Sequence, residues 1–182
     1  MTDPMPAPFA VPADAVILAI DPGSERSGWV VFDTTAKRVI AHGKTANAEL
    51  LATIEEAALG SVPPRHAIDW LVIEWVSGYG ATVGAETFET CWWAGRFAQA
   101  SAGRFDRITR KEVIVHLHGR QRRHGDPTAD SMIWQALIDR FGGVGGKEAA
   151  VGLKGSPGPL FGVHSDARAA LAVAVAWADG VR

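Results

Sequence analysis

Cysteine is nearly missing from this chain: 182 residues contain one, Cys91. A single thiol excludes an internal disulfide framework and a cysteine-built zinc cage. Its setting beside Trp92 and Trp93 reads as a small core residue. Long apolar runs are missing too. No stretch approaches the ~18 residues of a spanning helix, so no membrane is expected among its partners. Charge of one sign is not in excess: 18 basic and 20 acidic residues leave a net charge of −2, which gives no general attraction to nucleic acid. Met1 to Pro12 lacks the basic start and apolar stretch of a secretion signal. It reads as a flexible leader over 1–13, ahead of one intracellular domain over 14–182.

What is present suits a single hydrophobic core, since 47% of the residues are apolar. The positive charge is concentrated. Arg104 to His124 holds seven basic residues against two acidic ones, a local net charge of +5. Ala15 to Ile20 is a continuous apolar run and predicts a buried central strand, closed by the turn Asp21-Pro22-Gly23-Ser24. Gly28 to Phe32 and Arg38 to Gly43 predict two more strands, joined by links short enough for an antiparallel meander. Asn47 can cap a helix running to about Leu59, and Trp70 to Val76 is a second strongly apolar strand. A helix is predicted over about Gly84 to Ser101, with Phe88 and Trp92, and Trp93 and Phe97, four residues apart.

Further on, Arg107 to Thr109 predicts a short strand and Arg110 to Leu117 a short helix. Asp126-Pro127 reads as a cap and first helical residue for a helix ending at Gly142-Gly143. Residues 142–162 hold eight glycines and two prolines and predict a mobile loop or binding flap. An alanine-rich helix from Ser165 to Asp179 closes the chain. This order predicts an α/β fold with a mixed five-stranded sheet flanked by helices.

Two of these strands carry a carboxylate where burial should forbid one. Asp21 closes the first, and Glu74 interrupts Trp70 to Val76. A bare buried carboxylate is costly unless it is paired, hydrogen-bonded or metal-bound. Asp166 stands at the start of the last helix. Taken singly, Asp21 reads equally as a turn residue and Asp166 as a helix-start acid favoured by the dipole; Glu74, apolar on both flanks, is harder to explain structurally. Three carboxylates from separate elements make a site for a hard cation such as Mg²⁺ or Mn²⁺, which takes oxygen ligands and serves phosphodiester cleavage.

Ile17 to Asp33, ILAIDPGSERSGWVVFD, resembles the opening motif of the RuvC-type Holliday junction resolvases. Leu71 to Val76, LVIEWV, resembles their glutamate-bearing strand, and His164 to Ala176 their closing aspartate-bearing helix. The middle of the chain, KEVIVHLHG through ADSMIWQALIDRFGG, looks like phage-type members. The resemblance implies an RNase H-like fold, a homodimer, and a crossover junction endodeoxyribonuclease that uses divalent metal and water to cleave branched DNA in line. It carries Asp21, Glu74 and Asp166 over as catalytic metal ligands, and His164 as a further ligand, a general base or an ordinary loop histidine. It implies the cytoplasm of a bacterium or of a phage-infected cell. One motif departs. Cellular members end with two acids, or a His and an Asp, three residues apart before an Ala-Leu-Ala run. Here His164 and Asp166 are two apart, and alignment on Ala170-Leu171-Ala172 puts Ala169 in the place of the last acid.

The basic segment reads either as a solvated face or as phosphate contact along DNA arms; its DNA-binding candidates are Arg107, Arg110, Lys111, Arg120, Arg122 and Arg123. Lys147 and Lys154 in the glycine-rich stretch either reach phosphate or keep the loop solvated. Tyr79, between two glycines, can meet an unstacked base. His116 and His118 lack further ligands nearby, so no zinc site is expected. Three other functions compete. One is a non-catalytic branched-DNA-binding module. Another is an RNase H-like nuclease for forks, flaps or RNA–DNA hybrids. The third is an actin-like ATPase half, which the Asp-Pro-Gly-Ser turn suggests and the short chain argues against.

Overall fold

The apolar run near the start of the chain becomes the middle of a sheet. β1 (Val16–Asp21) pairs antiparallel with β2 (Arg26–Asp33), and β2 pairs antiparallel with β3 (Arg38–Ala46). On its other side β1 runs parallel to β4 (Trp70–Trp75), which runs parallel to β5 (Phe105–Thr109). The order is β3-β2-β1-β4-β5, the mixed five-stranded sheet that the sequence predicts. These relations come from a computed structural model that describes residues 14–58, 67–77 and 83–181. The leader and Tyr79 lie outside the described residues.

Side chains alternate across a strand, and the two central strands supply both cores in this way. Ile17 and Ala19 of β1, with Trp70 and Val72 of β4, face a cluster built on α3 (Arg110–His118), α4 (Ala129–Gly142) and α6 (Asp166–Ala178). Leu18, Ile20, Leu71 and Ile73 face the opposite cluster, built on α1 (Asn47–Ala58) and α2 (Ala85–Ala100). Burial on both faces is why these strands read as unbroken apolar runs.

α6 is buried along nearly its whole length, from Ala167 to Trp177. Its alanines let it lie close to the sheet, and Gly28 brings it closer. A Cβ at Gly28 would stand 2.5–2.6 Å from Asp166. The glycine is therefore required by space, at the point where the first residue of α6 rests on β2.

Several local expectations change. α4 is capped by Thr128, whose side chain accepts from the Ser131 amide at 3.3 Å. Asp126, expected as that cap, instead accepts the Arg120 guanidinium at 2.6 and 3.0 Å and the Arg123 amide at 2.7 Å. Asn47 opens α1, but its side chain serves another loop: it accepts from Ser27 Oγ at 2.7 Å and donates to the Gly23 carbonyl at 2.9 Å. Cys91, expected in the core, is exposed, because its neighbours in sequence point around the helix and not to one side of it.

The glycine-rich stretch, predicted as a loop, carries structure of its own. It forms a 3₁₀ turn at Gly143–Gly145, then α5 (Gly146–Val151) and the two-residue strands β6 (Gly152–Leu153) and β7 (Ser156–Pro157). Buried Ala150, Leu160 and Val163 tie it to the α6-side core. Some of its glycines serve close packing: a Cβ at Gly142 would meet Ala150 at 3.1 Å. Among the described residues no helix is long and apolar enough to cross a membrane.

Candidate active site

Parallel strands end together at one edge of the sheet, and ligands of open α/β sheets bind beyond the strands' carboxyl ends. Ile20 is in register with Ile73, so Asp21 and Glu74 follow as the next residues of adjacent strands. By alternation both point to the face of Ile17, Ala19, Trp70 and Val72, under α6. Three helix starts converge on the same place: Arg110 opens α3, Asp130 lies in the first turn of α4, and Asp166 opens α6.

Each start is set locally. α3 begins with a capping box, in which the Thr109 side chain accepts from the Glu112 amide while the Glu112 carboxylate accepts from the Thr109 amide. This fixes the chain one residue before Arg110. The turn after Asp21 is held by Ser27 and Asn47, with the Gly23 amide donating to Ser27 Oγ at 3.3 Å. Before α6, Ser165 has φ 43°, a left-handed conformation rarely adopted by a residue with a side chain. Strain of this kind concentrates at functional sites.

Arg110 is the centre of the charge network. Its Nε donates to Glu74 Oε1 at 2.7 Å, and a guanidinium nitrogen lies 3.8 Å from Asp21. It also pairs with Asp130. Lys44 of β3 pairs with Asp166. Burial, then the neighbouring Glu74 charge, raise the Asp21 carboxyl to about 8; Arg110 opposes the rise and Asp166 adds to it. Glu74 is also pushed up, by burial, against the pull of Arg110. Burial disfavours the charge on Arg110 itself, but Glu74 and Asp21 outweigh that and hold the guanidinium more firmly protonated than usual.

A cavity of about 340 Å³ opens beside this network, lined by Asp21, Arg110, Asp130, Ser165, Asp166, Trp134 and Arg168. Ala169 lines it too, one turn beyond Asp166. The wall is therefore apolar at Ala169, while Asp130 supplies a carboxylate from another helix.

A divalent ion fits this donor set in kind. The acids supply hard oxygens only, and Asp21 keeps its proton to about 8 because it is buried beside negative neighbours. The present arrangement is different. Arg110 bridges Asp21, Glu74 and Asp130, Lys44 pairs with Asp166, and among the described residues no three His, Cys, Asp or Glu side chains are grouped to hold a metal ion.

The other sequence candidates scatter. His164 is exposed and does not line the cavity. Arg107 lies over the Trp75 ring at 5.1 Å. Arg110, expected on a DNA-facing surface, is instead among the acids. Arg120 is held by Asp126, and Arg122 donates to the Pro127 carbonyl at 2.8 Å. Lys111, Arg123, Lys147 and Lys154 are exposed. His116 and His118, which are helical, are used internally: His116 meets Asp179 at 2.8 Å, and His118 meets the Met132 carbonyl at 2.7 Å. Sequence reasoning misses Lys44, Asp130, Trp134 and Arg168. A signal for Arg168 exists, since it stands two residues from Asp166 at the start of the same helix.

No family model matches the chain, and neither does any curated protein. Solved structures do. Thermus thermophilus RuvC matches with 19% identity and a TM-score of 0.54, over 88% of this chain and 92% of that one. The fold is that of RuvC. T. thermophilus RuvC in complex with a Holliday junction substrate matches with 18% identity and a TM-score of 0.52, over 89% of this chain and 91% of that one. The chain thus has the α/β fold of RuvC, over nearly the whole length of both proteins.

Proposed function

We propose that this chain is a divalent-metal-dependent DNA endonuclease selective for branched structures, a Holliday junction resolvase working as a homodimer. One observation carries the reading: Asp21 ends β1 and Glu74 stands one residue before the end of adjacent β4, under the start of α6, and the Asp166 charge helps to raise the Asp21 carboxyl. The RuvC fold supports the substrate class, as does the Holliday junction bound by T. thermophilus RuvC in its complex.

Asp21, Glu74 and Asp166 would hold Mg²⁺, with Mn²⁺ able to replace it. Bound there, the ion supplies activation of water and stabilisation of the leaving oxygen. The chain's own residues do the rest. Arg110 and Lys44 neutralise the acids and, once released from them, stand beside the strand to be cut. Ser27 and Asn47 fix the turn that aims Asp21. Lys111, Arg123, Lys147 and Lys154 are proposed to contact the DNA arms, with Arg107, Arg120 and Arg122 beside them and Tyr79 at the branch point. His164, two residues before Asp166 and outside the cavity lining, is proposed as the general base.

The homodimer reading rests on α2. Phe88 and Trp92 are 66% and 54% exposed on its outer face. Glu86 and Glu89 lie toward its N-terminus and Arg96 toward its C-terminus, so antiparallel pairing of two copies sets opposite charges against each other.

A second reading, a binding module without catalysis, is favoured by the seating of Arg110 among the acids. The test is a labelled four-way junction beside matched duplex, fork, flap and RNA–DNA hybrid, in Mg²⁺, Mn²⁺ or chelator, with wild type and Asp21→Asn. Metal-dependent cutting of the junction, lost in Asp21→Asn, is expected. Junction binding without cutting in either metal selects the binding module, and preferential cutting of another substrate selects that nuclease.

A further inference from the structure

Two guanidiniums line the cavity, and their surroundings differ. Arg110 is held by Glu74, Asp21 and Asp130. Arg168 faces the same cavity and makes no ion pair among the described residues. Its guanidinium carbon lies 3.9 Å from the centre of the Trp134 ring, and its Nε donates to the Val163 carbonyl at 3.3 Å. Trp134 is half-buried on α4 and lines the cavity as well. A planar cation stacked on an indole and tied to one carbonyl has lost much of its rotamer freedom before any ligand arrives. Its remaining N–H donors have no carboxylate to satisfy them, although Asp21, Asp130 and Asp166 line the same wall.

An acidic pocket repels a nucleic-acid backbone, so a strand entering it needs a fixed positive contact nearby. We propose that Arg168 is that contact: a phosphate-binding residue that receives a backbone phosphate of the strand entering the cavity, held in position by Trp134. The assignment rests on the nuclease reading for its substrate class and adds a subsite to it. Arg168 is the residue that touches the phosphate. Trp134 acts through Arg168, as a positioning residue.

The test is junction binding across a salt series, in chelator so that nothing is cut, with wild type, Arg168→Gln, Arg168→Lys, Trp134→Leu and Trp134→Phe. One phosphate contact contributes about 0.9 to the slope of log affinity against log salt. Arg168→Gln is expected to bind about tenfold more weakly and to lose about 0.9 from that slope. Arg168→Lys, which keeps the charge without the stacking plane, should keep the slope and part of the affinity. Trp134→Leu should weaken binding, and Trp134→Phe, which keeps an aromatic face, should restore most of it. Wild-type affinity and slope in Arg168→Gln would overturn the proposal, as would an equal loss in Arg168→Lys and Arg168→Gln. The cutting assay is read separately. A wild type that binds with its full slope and never cuts ends the nuclease reading but leaves the phosphate contact standing; a wild type that binds no junction ends both.

Discussion

Asp21 combines three settings that each act on a carboxyl: burial, a negative neighbour at Glu74 and a positive one at Arg110. The first two win, and the proton stays on to about 8 against an ordinary value of 3.8. The sign of the linkage follows. Between those two values the folded chain keeps a proton that the unfolded chain has released, so stability falls as pH rises through this window and levels off above it. In chelator, the melting temperature should drop from pH 4 to pH 8, by no more than about 1.4 kcal/mol of stability per pH unit for one proton. Asp21→Asn should flatten the profile. A melting temperature that climbs through this range would show that Asp21 is ionised and stabilised as the anion. Gly28 gives a second prediction at this scale. Gly28→Ala places a methyl against Asp166, so the start of α6 must move; a loss of about 1–3 kcal/mol is expected in denaturant unfolding, together with loss of any cutting.

Among the elements, α3 shows how a helix cap serves a site. The Thr109–Glu112 box fixes the turn from which Arg110 reaches Glu74. Thr109→Ala should cost about 1 kcal/mol, read as a lower denaturant midpoint, and should loosen Arg110 from the acids. How far the elements are legible in the sequence depends on burial. β1 and β4 can be read because both of their faces are covered, and Asp21 and Glu74 stand out because a carboxylate is costly there. The start of α4 is misread because Asp-Pro signals a cap as well as Thr128 does, and only the fold shows Asp126 spent on Arg120. Asp130 and Lys44 cannot be told from ordinary surface charges, and Arg168 is marked only by standing two residues from Asp166. They lie in first turns and on an edge strand, where charged residues are common, and their role appears only when α3, α4 and α6 meet. Composition draws Cys91 toward the core, and the helix turns it outward. The glycine-rich stretch gives no periodic pattern, yet Ala150, Leu160 and Val163 anchor it.

At the scale of the molecule, the RuvC fold places the acids on one side of the sheet and α2 on the other. If α2 joins two copies, two acidic cavities are carried by one rigid frame, which suits paired cuts. Trp92→Glu should convert a dimer to a monomer in sedimentation, leave the fold intact by circular dichroism, and turn paired cuts into single nicks. A monomeric wild type would remove that explanation for symmetry.

The most direct measurement of the central claim uses a supercoiled plasmid carrying an extruded cruciform, incubated with the chain in Mg²⁺ or in chelator. Linear product cut across the cruciform is expected in Mg²⁺ alone, and none from Asp21→Asn. Nicking spread over the plasmid, or cutting that persists in chelator or in Asp21→Asn, would contradict it.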